Sequence, residues 1–113
     1  MANDYTPERL RGIFERRIAA TKALCEYYSA LSIQTFRQRQ SANAFWNNQT
    51  STAYSRVFSE AFYERDAIGW FIAHAVEYGV YLELANDRAH EALKPIVIEL
   101  EPAFMRDLKG IWG

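Results

Sequence analysis

The first third of the chain carries a helix signal long enough to dictate the architecture around it. Thr6 is a natural N-cap, Pro7 takes the first helical position, where its missing N–H removes no hydrogen bond, and Glu8 favours the helix N-terminus. The pattern continues to about Arg39, so the sequence predicts one long amphipathic helix. At 100° per residue its apolar stripe comprises Leu10, Ile13, Phe14, Ile18, Ala20, Leu24, Cys25, Tyr28, Leu31 and Phe36.

One charged residue lies within this stripe. A guanidinium at Arg17 must extend past the core, pair with a carboxylate or face another subunit. We expect it at the edge of a subunit contact. The other basic residues of the segment are interleaved with Glu8, Glu15 and Glu26, which is typical of a solvated helix face and not of a phosphate-binding track.

A polar stretch from Gln40 to Thr52 follows the helix. Its Asn, Gln, Ser and Thr side chains bond to nearby backbone and favour turns, so we predict a connecting loop. Phe45 and Trp46 are adjacent large aromatics within it, and such rings are normally buried against the protein or a partner.

The hydrophobic period changes to two at Ala53, which predicts a strand with one small face, suited to close approach by a helix, and one mixed face. A polar turn at Glu64–Asp66 and a returning strand up to Ala75 complete an antiparallel hairpin. Two strands are marginal alone, so we expect the hairpin to meet another subunit or to extend a sheet. The mixed face comprises Tyr54, Arg56, Phe58, Glu60 and Phe62, and the returning strand places Ile68, Trp70, Ile72 and His74 on one side.

The remainder of the chain predicts shorter elements and a closing helix. Val76–Leu84 fits a short helix, residues 86–90 a loop and residues 91–94 a brief extended piece. Pro95 is a helix opener, Pro102 is expected to kink or restart the helix, and Gly110 is a natural stop. We therefore predict a single α+β domain over residues 1–113, with a long N-terminal helix, a hairpin with a further short strand, a short middle helix, and a C-terminal helix packed on the sheet.

Composition narrows the class of function. The net charge of −1 argues against tight binding of nucleic-acid phosphates, and the single cysteine cannot form an internal disulfide. The first residues lack the basic-then-apolar order of an export signal, and His74, Glu77 and Glu83 break the longest apolar stretch, so we expect no membrane association.

Catalytic constellations are hard to assemble from this sequence. An enzyme would need His74, Glu77, Glu83 and His90 to converge in one pocket, and their spacing repeats no known ligand pattern. Cys25 lies on the apolar stripe, where a thiol is usually an inert small hydrophobe. We therefore expect no enzymatic activity, no metal and no cofactor.

One segment resembles a known family. The run His74-Ala-Val-Glu-Tyr-Gly-Val-Tyr-Leu-Glu-Leu-Ala-Asn-Asp87, followed by Ala92-Leu-Lys-Pro95 and a closing helix with Met105-Arg-Asp-Leu108, resembles the tail-completion proteins of long-tailed bacteriophages, also called head-to-tail joining or neck proteins. Trp46-Asn-Asn-Gln-Thr-Ser-Thr-Ala53 stands where that family has a Trp-x-x-Arg-Thr-Gly-x-Ala segment. Gln49 replaces its basic residue and Ser51 its frequent glycine, so a charge contact or tight turn does not carry over to this loop.

The resemblance implies a structural virion protein that forms a ring, expected to be hexameric, at the head–tail junction. Its partners would be further copies of itself, the tail tube protein and the head-side connector or stopper protein. DNA would pass through the lumen without sequence-specific binding. The protein would reside in the virion and, during assembly, in the host cytoplasm.

The sequence nominates two groups of functional residues and leaves an alternative open. Tyr78 and Tyr81 also fit ordinary core positions of a short helix, and the chain also fits a small regulator that binds another protein without catalysis. The candidate contact residues are Trp46, Asn48, Gln49, Thr50, Tyr54, Arg56, Phe58, Tyr78, Tyr81 and Glu83, and those for the DNA channel are Arg37 and Arg39.

Overall fold

The N-terminal helix organises the fold. The computed structural model describes residues 6–41, 56–64, 67–75 and 92–113. Helix α1 spans Pro7–Ser41, and the Thr6 side-chain oxygen accepts a 3.2 Å hydrogen bond from the Arg9 N–H, so the predicted N-cap is confirmed. With 35 residues, α1 is about 50 Å long at 1.5 Å per residue, and every other described element packs along it.

The hairpin is confirmed, with shorter strands than predicted. Strand β1 spans Val57–Glu64 and pairs antiparallel with β2, Ala67–His74, in a register that sets Val57 opposite His74. Arg56 lies in a turn and not in the predicted strand, whereas Glu64, predicted as a turn, still belongs to β1. The strand residues predicted from Ala53 to Ser55 lie outside the described ranges.

The C-terminal helix α2 spans Leu93–Trp112 and corrects three expectations. Leu93 and Lys94 are helical, not extended, and Pro95 therefore sits inside the first turn, where backbone N–H groups have no acceptor within the helix anyway. The helix continues through Pro102 without restarting. It also passes Gly110 and ends at Trp112, where the Gly113 N–H bonds to the Lys109 carbonyl at 2.7 Å.

Helix α2 runs antiparallel to α1, and side-chain contacts join the two helices at three positions along their length. Arg39 pairs with Glu99 near one end. In the middle, the Tyr28 hydroxyl donates to Asp107 at 2.6 Å. At the other end the Trp112 indole N–H donates to the Thr21 hydroxyl at 2.8 Å, a bond that explains why the helix extends beyond Gly110.

The core lies where α1, the hairpin and α2 meet. The α+β class is confirmed, and α2 touches the sheet where Phe104 packs edge-on against Trp70, with ring centroids 6.0 Å apart. The predicted middle helix at Val76–Leu84 falls outside the described residues. The buried apolar residues are Cys25, Tyr28, Phe36, Val57, Ala92, Leu93, Ile96 and Leu100.

Candidate interaction surfaces

One face of the hairpin packs against α1 and contributes to the core. The register places Val57, Ser59, Ala61 and Tyr63 on the same side as Ile68, Trp70, Ile72 and His74, and we call these residues the inner face. Ser59 donates a 2.6 Å hydrogen bond to the Ser29 carbonyl of α1. Small side chains on both elements allow this close approach, as the small face of β1 predicts.

Three phenylalanines form a row on the opposite side of the sheet. Phe58 and Phe62 of β1 flank Phe71 of β2, with centroid distances to Phe71 of 5.7 Å and 6.4 Å. We call Phe58, Phe62 and Phe71 the aromatic row. The Phe58 side chain is 38% exposed. Phe62 and Phe71 are half-buried, so among the described residues this side of the sheet presents a partly exposed aromatic surface, which makes it a candidate contact site.

A glycine shapes this row. The Phe62 ring lies over Gly69, its partner across the ladder, and a Cβ at that position would come within 2.6 Å of Phe62 Cζ. Only a residue without a side chain leaves room for the ring above the neighbouring strand. The ring in turn shields the glycine backbone from water. Gly69 therefore fixes the orientation of one end of the row.

Acidic residues accompany the aromatic row. Glu60 and Glu64 alternate with the phenylalanines along β1, and both side chains are exposed. Arg56, the basic residue of the same alternation, lies in the turn before the strand. From Phe58 to the hairpin tip, the outer face of β1 is thus apolar and acidic.

The first turns of α1 form a second exposed apolar surface. Leu10 is 47% exposed and Phe14 56% exposed, although both continue the stripe that is buried farther along the helix. Phe14 also contributes to an open groove of about 660 Å³ between α1 and the hairpin tip. The groove is lined by Phe14, Ile18, Lys22, Tyr63, Glu64, Ala67 and Ile68.

Basic residues border this second surface. On the helix, Arg11 and Arg17 fall on either side of the Leu10–Phe14 stripe, and both are exposed. The Arg17 guanidinium lies 5.9 Å from the centre of the Trp112 ring, an intramolecular cation–π contact. On the helix, Glu15 lies farther round, beyond Arg11, and Glu64 of the hairpin tip lines the groove with Phe14. The expected placement of Arg17 at a subunit contact stays a prediction.

Tyr63 joins the hairpin tip to α1. Its hydroxyl donates a hydrogen bond to the Glu26 carboxylate. This bond, with a smaller effect from burial, raises the pKa of Tyr63 to about 12. The Lys22 ammonium lies 5.1 Å from the Tyr63 ring centre. These contacts fix one wall of the groove.

The neighbouring thiol has no part in this surface. Cys25 is fully buried, and desolvation, with a smaller effect from the Glu26 charge, raises the pKa of its thiol. The thiolate is thereby disfavoured, as the apolar position in the sequence indicates.

Of the sequence-predicted contact residues, the structure describes Arg56 and Phe58. The two stand near each other in sequence at the start of β1, and Phe58 begins the aromatic row. The others lie outside the described residues: Trp46, Asn48, Gln49, Thr50, Tyr54, Tyr78, Tyr81 and Glu83.

The two candidate DNA-channel residues make contacts within the chain. Arg37 donates a 3.1 Å hydrogen bond to the Val57 carbonyl and packs over the Phe36 ring. Arg39 forms its ion pair with Glu99 across the two helices, with both side chains about half exposed. Their proposed role toward DNA stays a prediction.

Phe71, Leu10 and Phe14 were not among the predicted contact residues. Phe71 could have been found from its place in β2, since it alternates with the inner-face residues Trp70 and Ile72. The exposure of Leu10 and Phe14 had no such signal, because a helix stripe does not show how far its covering elements extend.

Two further features are absent from the described ranges, namely a metal-ligand cluster and a membrane-spanning helix. No three His, Cys, Asp or Glu side chains there lie close enough together to hold a metal ion. Neither helix is both long and apolar enough to cross a bilayer.

No family model, no curated protein and no solved structure matches this chain.

Proposed function

We propose that this protein is a ring-forming subunit of the head–tail junction of a long-tailed bacteriophage, completing the tail and joining it to the capsid connector. It is supported by the resemblance of the run His74–Asp87, most specific over Glu77–Glu83, to tail-completion proteins, together with the exposed aromatic surface of the hairpin. No bond is made or broken in this function. The subunit must instead present surfaces that are complementary to its neighbours, to the tail tube and to the head-side protein.

The aromatic row is the observation that carries the proposal. The hairpin packs against α1 through its inner face. The contact with α1 therefore depends little on Phe58, Phe62 and Phe71, which lie on the other side of the sheet. Aromatic side chains on a solvent-facing sheet surface gain free energy when a partner covers them. A ring subunit has such a partner permanently.

Charge supports a passive conduit. The net charge is −1, and Arg39, one of the two proposed channel residues, is paired with Glu99. Each unpaired cation facing DNA would add salt-dependent affinity for phosphate and would hold back a moving duplex. A lumen with locally balanced charge lets DNA pass.

Deletion of the gene from the phage that encodes it tests this function. We expect lysates with DNA-filled heads and complete tails that fail to join, visible by electron microscopy. The parent gene supplied in trans is the control and restores joined particles. Normal joined virions in the deletion lysate would refute the proposal.

The runner-up is a small regulator that binds a host or phage protein. The open groove beside Phe14 favours it, since an apolar groove with a few polar groups, here Lys22 and Glu64, also suits a peptide. Under this alternative the protein forms a stoichiometric complex with one soluble partner and is absent from purified virions, which immunoblotting of the particles decides.

A further inference from the structure

We infer that the aromatic row of one copy receives the first turns of helix α1 from a second copy, so that neighbouring subunits associate head to tail. The inference rests on the proposed ring function and names the contact that would build the ring. The two surfaces are Phe58, Phe62 and Phe71 with Glu60 on one copy, and Leu10 and Phe14 with Arg11 and Arg17 on the next.

The two surfaces cannot satisfy each other within one chain. Alternate residues of a strand point to opposite sides of the sheet. The groove that Phe14 enters lies at the hairpin tip, where Tyr63 and Ile68 of the inner face line it together with Glu64 and Ala67. Phe58 and Phe71 point away from it through the sheet, so only another molecule can bring the surfaces together.

The charges of the surfaces are complementary. Arg11 and Arg17 border the Leu10–Phe14 stripe, whereas Glu60 lies between the phenylalanines of the aromatic row, and all three charged side chains are exposed. Matching a basic apolar stripe to an acidic apolar face steers association and suppresses the alternative of two acidic hairpin faces packing together. This complementarity selects a second copy of the chain as the partner.

The spacings of the two surfaces also agree. Side chains four residues apart on a helix have Cβ atoms about 5–6 Å apart, which describes Leu10 and Phe14. The rings of the aromatic row follow one another at 5.7 Å and 6.4 Å. The spacing of the two helix side chains therefore matches the spacing of the rings along the row.

Such a contact has a consequence for symmetry. Each subunit offers two different surfaces, so the interface is heterologous, and repeating it generates a ring if the rotation closes. A two-fold dimer would instead use the same surface twice. The inferred contact thus yields the kind of assembly that a head–tail junction needs.

Disulfide trapping of the purified full-length protein tests the contact, because it captures even weak association. Arg11→Cys and Glu60→Cys place one cysteine beside each surface and leave all the apolar side chains in place. In the double variant we expect mild oxidation to give a ladder of covalent oligomers. Cys25 is fully buried and therefore contributes no background.

A matched control moves only the helix cysteine. Ala23→Cys is exposed on the opposite side of α1 from the Leu10–Phe14 stripe, so Ala23→Cys with Glu60→Cys should give severalfold less cross-linking than Arg11→Cys with Glu60→Cys. Equal cross-linking in the two double variants, or none in either at the highest soluble concentration, would overturn the inference.

The single variants distinguish the possible partners of the aromatic row. Arg11→Cys and Glu60→Cys should each stay uncross-linked alone and form heterodimers when mixed. Dimers of Glu60→Cys alone would show sheet-on-sheet packing and would also overturn the inference. The result is separate from the fate of the proposed function, since the deletion phenotype does not depend on which surfaces meet.

Discussion

Tyr28 and Asp107 tie the middle of the long helix to the C-terminal helix: the phenol of the first donates to the carboxylate of the second at 2.6 Å. The Tyr28 ring is itself packed, edge-on, against Phe104 and lies near Trp70. One side chain thus joins α1, β2 and α2. This contact should govern how firmly the subunit holds its shape when its outer surfaces are bound.

The Tyr28–Asp107 bond predicts a specific acid sensitivity. Hydrogen bonding from Tyr28, aided by Arg106, lowers the pKa of Asp107 below its ordinary value of 3.8. A carboxyl group whose pKa is lower in the folded protein stabilises the fold above its unfolded pKa, and this contribution is lost as the pH falls through the folded value. We expect Tyr28→Phe to lower the melting temperature by several degrees at neutral pH and by progressively less as the pH falls below 3.8.

Tyr27→Phe is the control for that experiment. Tyr27 is adjacent and largely exposed, so its hydroxyl should contribute little at any pH. Thermal melts followed by circular dichroism at several pH values measure both variants. A deficit in Tyr28→Phe that does not shrink on acidification would argue against the assigned hydrogen bond.

The link between the hairpin tip and α1 predicts a change at alkaline pH. Because Glu26 raises the pKa of Tyr63 to about 12, the folded protein keeps the phenol protonated after an unfolded chain has lost the proton. The stabilisation is therefore complete below pH 10 and lost as the pH rises through 12. We expect Glu26→Gln to return the pKa of Tyr63 toward 10, as measured by ultraviolet titration.

Two substitutions validate this titration. Tyr63→Phe should remove the late-titrating phenol from the spectrum, which assigns it. Glu15→Gln, an exposed carboxylate elsewhere on α1, should leave the titration unchanged. If Glu26→Gln and Glu15→Gln give the same curve, Glu26 is not the acceptor.

The close contact between Gly69 and the Phe62 ring predicts that the effects of substitutions at these two positions on the unfolding free energy are coupled. In Gly69→Ala the new Cβ would meet the Phe62 ring at 2.6 Å, so the ring must swing toward solvent. Since Phe62 is only half-buried, we expect a loss of about 1 kcal/mol in unfolding free energy. Chemical denaturation of the wild type, both single variants and the double variant measures it.

The double variant tests whether the loss in Gly69→Ala comes from the Phe62 ring. With Phe62→Ala already present, nothing opposes the added methyl group, so Gly69→Ala should then cost nothing or stabilise the strand slightly. Additive losses in the two variants would show that the Phe62 ring is not what excludes a side chain at position 69.

The helix and hairpin followed from the sequence because their signals are local. Thr6 and Pro7 define where α1 begins, and the alternation around Trp70 identifies the side of β2 that meets it. The packing of α1 was less visible, since buried Thr21, Ser29 and Ser32 interrupt its apolar stripe. Their hydroxyls bond back to carbonyls three or four residues earlier, so burial leaves no donor unsatisfied.

The ends of α2 and the exposed surfaces depend on tertiary structure and were harder to predict. Gly110 is a fair local stop signal, but the Trp112 bond to Thr21 extends the helix beyond it. Phe14 is covered on one side by Trp112, whose ring lies edge-on to it at 5.9 Å, and its remaining exposure follows from where the hairpin and α2 end along α1. Local propensity contains no information on such distances between elements.

The last prediction separates the two faces of β1 by substituting adjacent residues. Phe58 begins the aromatic row, so Phe58→Asp removes a ring contact with Phe71, at a cost of about 1 kcal/mol, while the new carboxylate remains in water. Val57 is buried on the inner face. Val57→Asp therefore buries an unpaired charge, which costs on the order of 3 kcal/mol or more.

Thermal melts and incorporation into virions measure both effects. We expect Phe58→Asp to keep a cooperative melt near that of the parent yet to fail in joining heads to tails, because the charge falls on the subunit contact. Val57→Asp should lose both folding and incorporation. If Phe58→Asp complements a deletion phage as well as the parent gene, the aromatic row is not a contact in the virion, and the proposed function loses the observation that carries it.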